Sequence, residues 1–248
     1  MIQALLILKY LPFLQKALHP FLTVRNASLE REFSGSVYRN PVGISAGIDR
    51  EGYFYKELST FGPSFIEIGP AKKVDHILHN LRSHSDRNVR IIVNLNGRQS
   101  SAEGSGLKEL ERSCSLLYDF ADALTISVSG TGYQSVLDRV LTIRQYNDDF
   151  KPVAVRIAGK IDVKEVEPIV RYALQNGVDA IEVSDILFDE VYPIAGGIVP
   201  IIVISALAGK DDASMLLKKG ASFIAYMPRK SLGGLIGIRK VLNTLVKK

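Results

Sequence analysis

Short apolar runs recur along the chain, each rich in β-branched residues and each followed by a stretch with helical spacing. They cover Pro41–Gly47, Phe65–Gly69, Arg90–Leu95, Ala123–Ser129, Val153–Ala158, Ala180–Asp185, Ile201–Ala206 and Phe223–Pro228. Near-continuous apolar strands are expected where a parallel sheet is covered by helices. Three stretches share one layout: Gly62-Pro-Ser-Phe-Ile-Glu-Ile, Gly177-Val-Asp-Ala-Ile-Glu-Val and Gly220-Ala-Ser-Phe-Ile-Ala-Tyr. In each, a glycine ends a helix where a left-handed residue is needed, a short polar residue turns the chain, and a buried strand follows. Repeated helix-turn-strand units predict an α/β chain folded as a (β/α)8 TIM barrel. The helical stretches thin at 73–84 and between Asp185 and Pro200, where only Ile186–Pro193 has helical spacing. One outer helix is therefore expected to be reduced.

The first residues break this rhythm. Ile2 to Leu11 is nearly all apolar, Pro12 interrupts, and Phe13 to Leu22 is apolar again. No uncharged run reaches the ~18 residues of a spanning helix, and there is neither a basic start nor a small-residue cleavage site. Two short amphipathic helices are expected, forming an arm over residues 1–28 ahead of a barrel over 29–248. The arm either plugs the barrel bottom or lies on a membrane surface.

Composition narrows the function classes. The 248 residues suit one barrel. A single cysteine, Cys114, allows no internal disulfide and fits a reducing compartment, so a cytoplasmic place, up to the inner face of the membrane, is expected. His76, His79 and His84 share one helical stretch and are read as solvated, and no His/Cys cluster has metal-ligand spacing, so no metal site is expected. The net charge of +5 is spread along the chain. Without a basic tract and interleaved aromatics it argues against nucleic acid, and it suits a small anionic molecule. A homo- or hetero-oligomer is compatible with all of this.

Barrel enzymes work at the carboxyl ends of their strands. Those ends present Asp49 and Arg50, then Lys72 and Lys73, Asn94 with Asn96 and Arg98, Ser127 and Ser129, Arg156 and Lys160, Ser184 and Asp185, Ser205, and finally Arg229 and Lys230. Bases outnumber acids there, which favours an anionic ligand.

Several of these segments resemble the dihydroorotate dehydrogenases. Asn40-Pro-Val-Gly-Ile-Ser-Ala-Gly-Ile-Asp-Arg-Glu-Gly52 is similar to the family's N-P-V-G-L-A-A-G-F-D-K-N-G, and Phe65-Ile-Glu-Ile-Gly69 to F-V-E-V-G. Lys151-Pro-Val-Ala-Val-Arg-Ile-Ala158 resembles P-V-L-V-K-I-A, and Pro200-Ile-Ile-Val-Ile-Ser-Ala206 resembles P-I-I-G-V-G-G. The apolar arm resembles that of the membrane-associated, quinone-using class. The resemblance implies FMN over the strand ends and a serine that takes the substrate's proton.

Carried over by position, Ala46, Gly47, Gly69 and Asn94 match flavin-contacting residues, with Ser127, Arg156, Ser184, Ser205 and Arg229 completing the candidate cofactor set. Arg50, Lys72 and Asp185 are candidates for holding an anionic substrate. Departures are concentrated elsewhere. Gly130 stands where the catalytic serine would be and carries no proton acceptor; Ser129 beside it is the one candidate replacement, although successive strand residues face opposite ways. The long loop after the second strand is missing. Arg156 replaces the flavin lysine, Ser205 and Ala206 replace two phosphate glycines, and Pro228 has no N–H to donate. Glu182, apolar in the family, shares a side with Ser184 on the strand beside Arg156, so an Arg156–Glu182 ion pair is expected inside the barrel mouth.

Three readings follow. The first is a family relative that has lost dihydroorotate oxidation and serves as a binding or partner module. The second is an active FMN-dependent oxidoreductase, on dihydroorotate or a related substrate. The third is a small-anion-binding barrel. The missing base, the missing loop and the altered glycines favour the first.

Overall fold

The computed structural model describes residues 1–70, 74–82, 89–96, 104–157, 161–206, 212–228 and 232–246. Its centre is a closed parallel barrel. The barrel strands are β3 (Val42–Asp49), β4 (Phe65–Ile68), β5 (Arg90–Asn96), β6 (Ala123–Val128), β7 (Val153–Ile157), β8 (Ala180–Ser184), β9 (Ile201–Ser205) and β10 (Phe223–Tyr226), in sequential order with β10 closing against β3. This is the (β/α)8 TIM barrel that the apolar runs predict, and each strand falls within its run or overshoots it by one or two residues.

The helices α3 (Tyr55–Ser59), α4 (Val74–Arg82), α5 (Gly104–Leu117), α6 (Tyr133–Gln145), α7 (Val163–Gln175), α8 (Phe188–Ala195), α9 (Asp212–Lys218) and α10 (Leu232–Val246) alternate with the strands. Outward strand residues such as Ile44, Ile66, Val155 and Val183 pack against them in the main apolar core. The helix expected to be reduced survives as the eight residues of α8, led in by a 3-10 turn at Asp185–Leu187. The shortest of these helices is α3, with five residues.

The arm makes up for that brevity. Helices α1 (Ile2–Tyr10) and α2 (Pro12–Leu22) form as expected, and α1 packs on α3. Leu5 and Leu8 are buried in the same core as Tyr55 and Leu58. Lys9 donates to the Tyr53 carbonyl at 3.0 Å, and Gln15 to the Leu8 carbonyl at 2.9 Å. The arm therefore lies beside the barrel wall, and it is not the plug of the barrel bottom.

That plug is a hairpin that the sequence reading did not identify. Strands β1 (Arg31–Phe33) and β2 (Ser36–Tyr38) pair antiparallel just before the first barrel strand. Phe33 and Tyr38 enter the barrel floor, where they join Phe65 and Phe223 with ring centroids 5.2–6.2 Å apart. Such aromatic pairs add about 0.5–1.5 kcal/mol each beyond their buried area. Gly43 makes room for them: a Cβ there would sit 2.3 Å from the Phe65 ring.

Candidate functional site

Above the aromatic floor the inward positions turn polar. With a side-chain period of two, Phe65 is followed inward by Glu67, Ala123 by Thr125 and Ser127, Ala154 by Arg156, and Ala180 by Glu182. Register places Arg156 opposite Glu182 on β8 and Ser127 on β6. All five of these polar residues are buried, with Glu67 and Glu182 at 0% exposure.

Arg156 is the hub. Its Nη1 donates to Glu67 Oε2 at 3.1 Å and lies 3.5 Å from Glu182 Oε1, while Nη2 donates to Ser45 Oγ at 3.3 Å. Arg156 and Glu182 do meet, as expected, but Glu67 is the closer partner and accepts the hydrogen bond. Glu67 also accepts the Ala46 N–H at 2.8 Å and the Thr125 hydroxyl at 3.2 Å. Nothing in the sequence reading singled out Glu67 as a functional residue, although a carboxylate on the inward side of a buried strand was a signal that it needed a cation.

The two acids differ. Glu67 is held by three donors. Neither oxygen of Glu182 has a hydrogen-bond partner among the described residues. Burial, and then the neighbouring Glu67, push the Glu182 carboxyl well above the ordinary range, with Arg156 opposing. Glu182 thus keeps its proton where an exposed glutamate would lose it. The cluster sets one guanidinium between two carboxyl groups, one of which is neutralised by its own proton.

Nearer the mouth, Ser127 donates to Asn94 Oδ1 at 3.0 Å. The Asn94 amide nitrogen is buried without a partner among the described residues. Gly47 and Gly69 adopt φ of +97° and +107°. Gly69 also lies against the Asn94 carbonyl, where a Cβ would come within 2.5 Å. Asp49 closes the turn after β3 by accepting the N–H groups of Tyr53 and Phe54 at 2.9 and 2.8 Å. Burial lifts its carboxyl to about 6 despite those two bonds. Arg50 beside it is exposed.

Other expected site residues are dispersed. Ser205 has the parity of Ile201 and Val203, which pack in the outer core, and its hydroxyl bonds Asp185 at 3.1 Å. It is therefore on the helix-facing side of β9. Asp185 is exposed, and Ser184 and Ser129 are half-buried. Gly130 has a φ of +62°, with open space where a Cβ would be. Lys72, Lys73, His84, Arg98, Ala158, Lys160, Arg229 and Lys230 lie outside the described residues. Among the described residues no group of His, Cys, Asp and Glu could hold a metal ion, and no helix is long and apolar enough to cross a membrane.

These residues do not fit a flavin in the way the resemblance implies. The cation on β7 is committed to two acids below the mouth, Ser205 faces away from it, and Pro228 lacks an N–H. Among the described residues, Gly47, Gly69 and the unpartnered Asn94 amide, all at the first three barrel strands, are the features compatible with a flavin.

No family model matches the chain. Among curated proteins it is similar to the dihydroorotate dehydrogenase (quinone) of Christiangramia forsetii, 24% identical over 59% of this chain and 55% of that protein. The enzyme of the same name from Burkholderia multivorans is 22% identical over 82% of this chain and 81% of that protein. The chain thus matches little more than half the length of the first relative. Among solved structures, the DHODH of Eimeria tenella in complex with ferulenol superposes with a TM-score of 0.74 at 15% identity, covering 95% of this chain and 89% of that one, which shows the shared fold. By sequence and by fold, the chain is a divergent, dihydroorotate dehydrogenase-like barrel.

Proposed function

We propose that this barrel keeps the dihydroorotate dehydrogenase plan but no longer oxidises dihydroorotate, and that it serves as a binding or partner module. The observation that carries this reading is the closed charge cluster of Arg156, Glu67 and Glu182. An arginine holding two acids in the barrel interior is not available to a flavin ring. Gly130 supports the same reading, because it offers no acceptor for a substrate proton.

The test is flavin uptake. Purified protein is expected to be colourless and to leave the fluorescence of added FMN unchanged. The double variant Arg156→Lys/Glu182→Ile, with a lysine and an apolar residue at those positions as in the family, is expected to gain measurable FMN binding. A yellow preparation with dihydroorotate-dependent bleaching would overturn the proposal. It would favour the second reading, an FMN-dependent oxidoreductase, which draws on Gly47, Gly69 and the unpartnered Asn94 amide.

The arm's proposed role is peripheral contact with a membrane. Tyr10, Phe13 and Phe21 are 74%, 63% and 68% exposed, and Ile2, Ile7 and Leu11 are exposed beside them. Large apolar side chains at this density on a helical surface suit an interfacial position. Co-sedimentation with phosphatidylcholine vesicles is expected to drop on Phe13→Ser/Phe21→Ser. Equal sedimentation of both proteins would rule the role out.

A further inference from the structure

At the floor end of the barrel, opposite the mouth, the chain leaves α2 and crosses onto the hairpin. There His19, Arg25, Asn26 and Arg39 border a cavity of about 270 Å³. Its walls are set by packing. Asn40, 2% exposed, donates through Nδ2 to the Gly62 carbonyl at 3.0 Å and accepts the Val42 N–H at 2.9 Å. Gly62 lies so close to Thr23 that a Cβ would come within 3.1 Å, so the arm is pressed against the barrel at this rim.

The charges around the cavity are predominantly basic. Among the described residues neither Arg25 nor Arg39 is in an ion pair. Glu30 also borders the cavity and is exposed like the two arginines, but it pairs with neither, so one acid faces two guanidinium groups there. Burial, then Arg25, then Arg39 push the His19 imidazole below its ordinary pKa, so both guanidinium charges act at this histidine. Like charges gathered at one concavity repel, and an anion relieves that repulsion. Guanidinium groups bind phosphate oxygens in pairs, and two of them border the same space. The volume lies just below the ~300 Å³ at which pockets for drug-sized ligands begin, so the ligand is small.

We infer that this cavity at the arm–barrel junction binds a phosphate-type oxyanion between Arg25 and Arg39, over a floor fixed by Asn40. The inference does not depend on any reading of the mouth. The phosphate group comes either from a soluble phosphate ester or from a lipid headgroup beneath the arm, and the two sources are separable.

The probe is inorganic phosphate with the full chain, read by thermal unfolding against chloride at equal ionic strength. Concentrations stay low, below those at which salt exclusion stabilises any protein. Arg25 and Arg39 are exposed, so Arg25→Gln and Arg39→Gln leave the core intact. Phosphate is expected to raise the Tm of the unmodified protein. The gain should shrink in each single variant and vanish in the double variant, while Lys240→Gln on α10 keeps it. Binding to phosphatidylcholine vesicles doped with phosphatidic acid then assigns the source. Loss of the phosphate response with unchanged vesicle binding supports a soluble ester, and loss of both supports a headgroup. No phosphate response in the unmodified protein, or an undiminished one in the double variant, overturns the inference.

Discussion

Replacing Arg156 by methionine tests the charge cluster directly. Methionine preserves the volume of the stem but removes the guanidinium, and with it the contacts to Glu67 at 3.1 Å, Glu182 at 3.5 Å and Ser45 at 3.3 Å. Two carboxyl groups at 0% exposure then share the interior with no cation. Removing one partner of a buried ion pair costs about 3–5 kcal/mol, a large part of the 5–15 kcal/mol that typically holds a domain together. The contrasting variant is Glu182→Leu. Glu182 makes no hydrogen bond among the described residues and keeps its proton, so an apolar replacement loses little, and Arg156 still has Glu67. Its expected effect is within about 1 kcal/mol of zero, in either direction. Urea unfolding at neutral pH, with both transitions analysed at a common slope, measures the two numbers. If Glu182→Leu destabilises as much as Arg156→Met, Glu182 is an essential counter-charge, and the unequal roles assigned to the two acids are wrong.

Stability of the unmodified protein is expected to fall as pH rises from about 4 through 6. Glu182 and Asp49 both have folded pKa values above their ordinary 4.5 and 3.8, with Asp49 near 6, so the unfolded chain ionises first and unfolding gains; Glu182→Leu should flatten part of this slope in urea midpoints taken across that range. Cys114 is fully buried and its thiol is pushed up to about 12, so an aromatic disulfide reagent should label it only at the rate of unfolding, and rapid labelling of native protein would contradict its place in the core. Gly69→Ala should cost about 1–3 kcal/mol for its backbone strain and more for the approach to the Asn94 carbonyl, whereas Gly177→Ala, with open space at its Cβ, should cost about 1 kcal/mol; equal losses by thermal unfolding would refute the close contact.

The barrel was legible because its strands are buried on both sides. They read as unbroken apolar runs, and the glycine turns before β4, β8 and β10 marked their starts. The hairpin was not legible in that way. Its strands are three residues each, and only Phe33 and Tyr38 face the floor. A signal existed in Ser34-Gly35, where φ values of +49° and +73° form the kind of tight turn that two-residue hairpins use. The Arg156–Glu182 contact could be anticipated because neighbouring strands share register and side chains alternate. Glu67 was overlooked because it sits in a segment that matches the family and drew attention only as framework. Ser205 was placed in the mouth by its position at a strand end, whereas its parity along β9 turns it outward.

The charged groups of the interior are physically linked. A lysine at position 156 would bring one compact ammonium with three donors, and burial alone can strip its proton. Arginine cannot lose its charge, so once buried it must be matched. Its planar fork also reaches several acceptors at once, and here it engages Ser45, Glu67 and Glu182 from three other strands. Glu67 alone would balance that charge. Glu182 adds a second acid, which the interior accommodates by keeping it protonated. The result ties β3, β4, β7 and β8 together through one side chain, at the level of the barrel where a packed interior would otherwise be apolar. A cross-strand charge cluster of this kind holds the barrel's geometry from inside, independently of anything bound over the strand ends.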